Sequence, residues 1–199
     1  MNAAVFILIT AIYVLFVLLA SWFFLRKGIL GKEGARKLVH VLVSFSVFPV
    51  VYLIDDPFLR LCGPLAFIFI NAVLGVKNKS RIMGLVCYPL SMLILIILMN
   101  HSLVSASSAV SGMLSMGLGD GAAALVGMKW GRTRLGRKSL EGSIAMFVVS
   151  SAVLVVFSGN IWYMSLLVAF AVTVIECITP HGLDNLTVPL AAAVLSEVL

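Results

Sequence analysis

The chain has 199 residues, of which 62% are hydrophobic and 11% charged, with a formal net charge of +6. Soluble domains are about 45–50% apolar and about 25% charged, so this composition excludes a water-soluble globule, and disorder would need the reverse balance. A bilayer core of roughly 30 Å takes about 20 apolar residues per helix, which gives a chain of this length about seven crossings and no sizeable soluble domain.

The first apolar run covers roughly residues 3–25. Arg26 and Lys27 follow it rather than precede it, the opposite of a cleavable secretory signal, so it is expected to stay as the first helix with its N-terminus outside. Further spans are expected at roughly 38–54, 58–76, 82–99, 103–127, 143–158 and 160–177. The last apolar piece, 186–199, is short and contains Pro189; it is expected to be re-entrant or tilted. No linker, repeat or low-complexity tract interrupts the runs. The expected fold is an all-α, multi-pass transmembrane bundle forming one domain over 1–199.

The loops sort by charge. Arg26, Lys27, Lys32, Arg36 and Lys37 share the first loop, Lys77, Lys79 and Arg81 the third, and Lys129, Arg132, Arg134, Arg137 and Lys138 the fifth. Of the 14 basic residues only Arg60 falls on the other side, so the positive-inside rule makes the basic side cytoplasmic. Cys62, Cys87 and Cys177 stand alone in or beside apolar runs, without the spacing of a disulfide framework or a zinc site.

The acids carry more information. Glu33 sits among loop bases, Asp55 and Asp56 lie on the outer side and Glu197 at the end of the sequence. Asp120, Glu141, Glu176 and Asp184 all map to the cytoplasmic end of the expected spans. A mid-helix carboxylate costs about 2.5–3.5 kcal/mol on insertion scales, and such a residue is usually kept by something polar that faces it. Gly119 and Gly121 flank Asp120 and would let a ligand or another backbone approach closely. Acids converging beside a basic loop suit a metal–polyphosphate complex, the acids holding Mg²⁺ or another divalent cation and the bases neutralising phosphate. This arrangement favours nucleotide chemistry over a proton relay or a small transporter.

The segment Gly131-Arg132-Thr133-Arg134-Leu135-Gly136-Arg137-Lys138-Ser139 approaches the phosphate-binding loop pattern GxxxxGK[ST]. It carries one residue too many before the lysine, and a membrane helix precedes it where the motif needs a strand. That assignment is rejected. Ser139 or Ser143 can still cap the next helix, and a helix N-terminus beside Lys138 suits an anion.

Three segments, Ala35-Arg36-Lys37-Leu38-Val39-His40, Gly119-Asp120-Gly121 through Gly127, and Gly136-Arg137-Lys138-Ser139-Leu140-Glu141-Gly142-Ser143, resemble the polyprenol kinase family of membrane lipid kinases. That family includes phytol, dolichol and CTP-dependent diacylglycerol kinases. A fourth, Glu176 through Asp184-Asn185 to Leu190, resembles its C-terminal signature. The resemblance implies phosphoryl transfer, usually from CTP as the nucleotide triphosphate, to the hydroxyl of a long-chain isoprenoid alcohol in the lipid bilayer, with a divalent metal and no nucleic-acid partner. A more distant likeness is to phosphatidate cytidylyltransferase, whose ending is only loosely echoed by His181-Gly182-Leu183-Asp184-Asn185.

On that basis Asp120 is the first candidate metal ligand, with Asp184 and Glu176 as a second ligand or the general base. Glu141 is expected to orient Lys138 or bind metal. Lys138 is the main polyphosphate contact, with Arg137 and Arg134 beside it. Arg36 and His40, four apart and so on one helix face, and Lys37 between them, are expected to bind phosphate or guide the lipid hydroxyl. Gly119, Gly121, Ser139 and Asn185 complete the expected nucleotide site.

Overall fold

Long apolar runs fold as helices in a bilayer because no water is present to satisfy unpaired backbone groups. The computed structural model describes residues 3–75, 79–180 and 182–199; Lys77 and His181, and the side chains of Lys79 and Arg81, lie outside the described residues. Among the described residues there are nine helices: α1 (Ala3–Arg26), α2 (Lys32–Ser44), α3 (Val47–Tyr52), α4 (Pro57–Gly75), α5 (Lys79–Asn100), α6 (Ala106–Trp130), α7 (Leu140–Phe157), α8 (Trp162–Ile178) and α9 (Asp184–Val198). A short ribbon, β1 (Arg134–Leu135) and β2 (Lys138–Ser139), joins α6 to α7. The chain is an all-α membrane bundle.

Five apolar stretches are long enough to cross a membrane: Val5–Arg26, Lys32–Tyr52, Met83–Asn100, Ala106–Trp130 and Leu140–Phe157. Pro57–Val73 and Trp162–Ile178 are apolar but shorter, so the expected count of seven is not reproduced by length and composition. The span expected over 38–54 is two helices rather than one. Pro49 has no amide to bond the Phe45 carbonyl four residues back, and its ring crowds that carbonyl; Ser44 and Ser46 add to the bend, their hydroxyls donating to the carbonyls of Val41 (2.6 Å) and Val43 (2.7 Å). The segment expected to be re-entrant or tilted is a buried helix of 15 residues, α9, about 22 Å long at 1.5 Å per residue. Asp184 stands at the basic end of the bundle, while near the other end Glu197 accepts from the Ser105 amide at 2.9 Å.

α6 is the axis. Its Val110, Met113, Leu114 and Met116 pack with Met146 and Leu154 of α7, Val168 and Val172 of α8, and Val188 and Ala192 of α9. Small residues, which let helix backbones approach closely in lipid, recur inside: Ser108, Ser111, Ser115, Ser150 and Ser165 are all buried. Large apolar side chains such as Leu8, Phe16, Phe69 and Phe170 are exposed instead, the pattern of a lipid-facing surface.

Candidate active site

Most of the acids have local structural partners. Asp56 caps α4, its carboxylate accepting from the amides of Phe58 (2.8 Å) and Leu59 (3.0 Å), as a short polar side chain at a helix start does. Glu33 pairs with Arg36. Glu141, expected to bind metal, stands apart: its carboxylate accepts from the Thr133 amide at 3.1 Å and so fastens the base of the ribbon. Glu141 follows Lys138 closely in sequence, but its carboxylate turns to the Thr133 amide and does not line the cavity among the described residues.

Asp120, Glu176 and Asp184 come together. They stand on α6, at the end of α8 and at the start of α9, and one carboxylate oxygen from each lies within 4.8 Å of the others. The turn between α8 and α9 uses Gly182 at φ +92°, a backbone state that suits glycine. The Gly182 amide donates to Asp184 Oδ1 at 3.0 Å. All three acids are buried, Glu176 to within 1% of full burial, and its Oε2 has no hydrogen-bond partner among the described residues. An unpartnered buried carboxylate oxygen is costly.

Two ammonium groups hold this charge. Lys37 of α2 pairs with Asp120. Lys138 of β2 hydrogen-bonds to Glu176 and lies 3.2 Å from Asp184 Oδ2. Burial pulls the Lys138 ammonium toward lower pKa, but Glu176 and then Asp184 outweigh it and hold the value above the ordinary one. His40 lies behind Asp120, its Nε2 3.9 Å from Asp120 Oδ2 and its ring 4.1 Å from that of Tyr88. Lys37, His40 and Ser44, three or four apart, form the face of α2 turned to α6. Arg36 points instead to the cavity.

The ribbon pairs Arg134 with Ser139 and Leu135 with Lys138. Gly136 takes φ +58° in the two-residue loop, where hairpins favour a glycine at the first position. Ser139 caps α7, its hydroxyl accepting from the Gly142 amide at 3.1 Å. The ribbon therefore hangs over the acids with Lys138 turned inward.

Between ribbon and acids lies a cavity of about 360 Å³. Its lining includes the expected residues Arg36, Lys37, Asp120, Arg134, Arg137, Lys138, Ser139, Glu176, Asp184 and Asn185. Gly119 and Gly121 are not among them. A side-chain carbon at Gly121 would fall 2.4 Å from Val41, and one at Gly119 2.6 Å from Met146, so the room they leave is taken by α2 and α7 and not by a ligand. Asn185 is also structural, donating to the Gly84 carbonyl at 2.8 Å and tying α9 to α5. Glu33 and Ser143, which line the cavity as well, were not among the expected site residues; each sits close in sequence to an expected base.

The chain is 30% identical to the phytol kinase of Synechocystis sp. over 210 residues, covering 94% of this chain and 88% of that protein. No family model and no solved structure matches it. The chain belongs to the phytol and polyprenol kinase family.

Proposed function

We propose that this member of the phytol and polyprenol kinase family transfers the γ-phosphoryl group of CTP to the hydroxyl of an isoprenoid alcohol, working with Mg²⁺ or another divalent cation. The observation that carries the reading is the convergence of Asp120, Glu176 and Asp184 beneath a hairpin bearing Arg134, Arg137 and Lys138, in one cavity. The acids fit a hard cation: every donor is oxygen, and the free Oε2 of Glu176 is an acceptor still to be satisfied. Asp120, Glu176 and Asp184 would hold the ion, which supplies charge neutralisation between phosphate oxygens.

The chain's own residues position and neutralise, which is most of what phosphoryl transfer demands. Arg36, Arg134, Arg137 and Lys138 face the cavity as phosphate donors, the arginines able to bind two oxygens at once. The alcohol oxygen attacks the γ-phosphorus, the bond from that phosphorus to the bridging oxygen breaks, and CDP leaves. A carboxylate of the cluster, Asp184 or Glu176, accepts the hydroxyl proton. His40 backs Asp120, its Nε2 3.9 Å from Oδ2 and not hydrogen-bonded to it.

The hydrocarbon tail stays in lipid. The outer face of α6 beside the cavity is apolar, with Leu125 exposed and Met128 among the cavity lining. The tail lies along this face while the hydroxyl passes Met128. The site faces the cytoplasm, with the N-terminus outside, because the basic loops lie at the site's end of the bundle.

Purified protein incubated with γ-labelled CTP and phytol, a polyprenol or diacylglycerol tests the reading. Label in the lipid together with unlabelled CDP is expected. Labelled pyrophosphate would instead identify a cytidylyltransferase and overturn it.

A further inference from the structure

We propose that Lys138 is a resident counter-ion of the cation site, filling it until a nucleotide triphosphate draws the ammonium away, so that cation and nucleotide enter together. The inference rests on the kinase reading above.

Its basis is position. The Lys138 ammonium hydrogen-bonds to Glu176 and stands 3.2 Å from Asp184 Oδ2, on the edge shared by two of the three converging carboxylates. Mg²⁺ binds its oxygens at about 2.0–2.1 Å, so an ion held by the same two acids would take the same space. A dication and an ammonium that close repel strongly in a buried setting. One of them must leave.

Charge and burial say which. Three carboxylates against two ammonium groups leave one negative charge uncompensated. Lys138 satisfies only one oxygen of Glu176; Oε2 stays without a partner. The lysine fills the site without completing it. Lys37 sits on a helix with its side chain 9% exposed, whereas Lys138 sits on the ribbon with 17% of its side chain exposed. Arg134 and Arg137 flank it at the cavity mouth. A triphosphate bound to those arginines offers the ammonium a new partner within reach and frees the acids.

Binding is then reciprocal: the nucleotide raises the affinity for the cation, and the cation raises that for the nucleotide by the same factor. The cation alone meets a site already filled.

The test uses the full chain in lipid nanodiscs with Mn²⁺ as probe, free Mn²⁺ being read from its paramagnetic resonance signal and protein-bound Mn²⁺ obtained after correction for chelation by the nucleotide in protein-free controls. Wild type is expected to bind Mn²⁺ weakly alone and at least about tenfold more tightly with non-hydrolysable β,γ-imido CTP. Lys138→Met is expected to bind Mn²⁺ alone at least about tenfold more tightly than wild type, with little further gain from the nucleotide. Lys138→Arg, which keeps the charge in place, should leave Mn²⁺ binding weak. Unchanged or weaker Mn²⁺ binding by folded Lys138→Met overturns the proposal. Equal wild-type affinity with and without the nucleotide overturns it too, whether or not Lys138→Met folds. Should the Mn²⁺ pattern appear while no alcohol is phosphorylated, the inference stands and only the kinase reading fails; phosphorylation without the pattern sinks the inference alone.

Discussion

Lys37 and Asp120, 83 positions apart in the chain, form a buried ion pair that locks α2 against α6. Such a pair is poor evidence for stability by itself, since apolar residues of similar volume often do as well or better. Removing one partner is another matter, costing about 3–5 kcal/mol by leaving a buried charge unpaired. Asp120→Asn is therefore expected to lower both thermal stability and activity, the latter by about 10²–10³-fold. Adding Lys37→Met to Asp120→Asn should recover at least about 1 kcal/mol relative to the sum of the single effects, without restoring activity. Additive melting shifts would show that the pair does not interact.

The separation of Glu141 from the cluster makes a second expectation. Glu176→Gln should reduce phosphoryl transfer by about 10²-fold or more, because it removes charge where the phosphates are neutralised. Glu141→Gln keeps an acceptor for the Thr133 amide and touches neither Lys138 nor the acids, so a loss of no more than about threefold is expected. Comparing the two variants under saturating CTP checks this. A severe Glu141→Gln defect with normal Glu176→Gln activity would reverse the assignment.

How much of this was legible in the residues depends on the kind of signal. The helices were, because a lipid-facing helix must be apolar for about 20 residues, which is hard to mimic. The break at Phe45 and Ser46 is legible only in part: Pro49 stands four residues after Phe45 and cannot bond its carbonyl, while the two serines whose hydroxyls turn back on the helix give no such signal. Asp120, Glu176 and Asp184 stood out through the cost of a carboxylate at membrane depth. Glu141 joined them on sequence proximity to Lys138, and proximity along the chain is undone by one hairpin. Gly119 and Gly121 make room for a ligand or another backbone, and only geometry says which. Lys37 as the partner of Asp120 was available in principle: Lys37, His40 and Ser44 make one polar stripe on amphipathic α2, although Lys32 and Arg36 on the same helix compete as candidates.

The exposed apolar face of α6 predicts a chain-length effect. Leu125→Trp, altering that face outside the cavity lining, should raise KM for a twenty-carbon alcohol by about tenfold, the equivalent of roughly two lost methylene contacts. A five-carbon alcohol, too short to reach Leu125, should be phosphorylated as before. Leu167→Trp, on the exposed face of α8, serves as a control. An equal effect on both alcohols would place the tail elsewhere.

Lys138 carries a pKa raised above its ordinary value of 10.5. A group raised on folding stabilises fully below its unfolded pKa, and that contribution fades as pH climbs through the folded one. The melting-temperature gap between wild type and Lys138→Met should therefore stay constant from about pH 6 to 9 and shrink only above pH 10.5. A gap that closes near neutrality would mean that Lys138 is not held by Glu176 and Asp184.

The same pairing marks the end of the bundle that carries the cavity, and the proposed orientation puts that end in the cytoplasm. Thr133 on the ribbon approach and His101 at the α5–α6 turn are both exposed and lie at opposite ends, α6 separating them. In intact cells, a membrane-impermeant maleimide should label His101→Cys and spare Thr133→Cys, with the order reversed in inside-out vesicles. The sequence is expected to place thirteen of the 14 basic residues toward the Thr133 side, where a bilayer with cytoplasmic anionic lipid would retain them. Labelling of Thr133→Cys from outside would put the cavity in contact with a compartment that holds little nucleotide, and cytoplasmic CTP could then not be the donor.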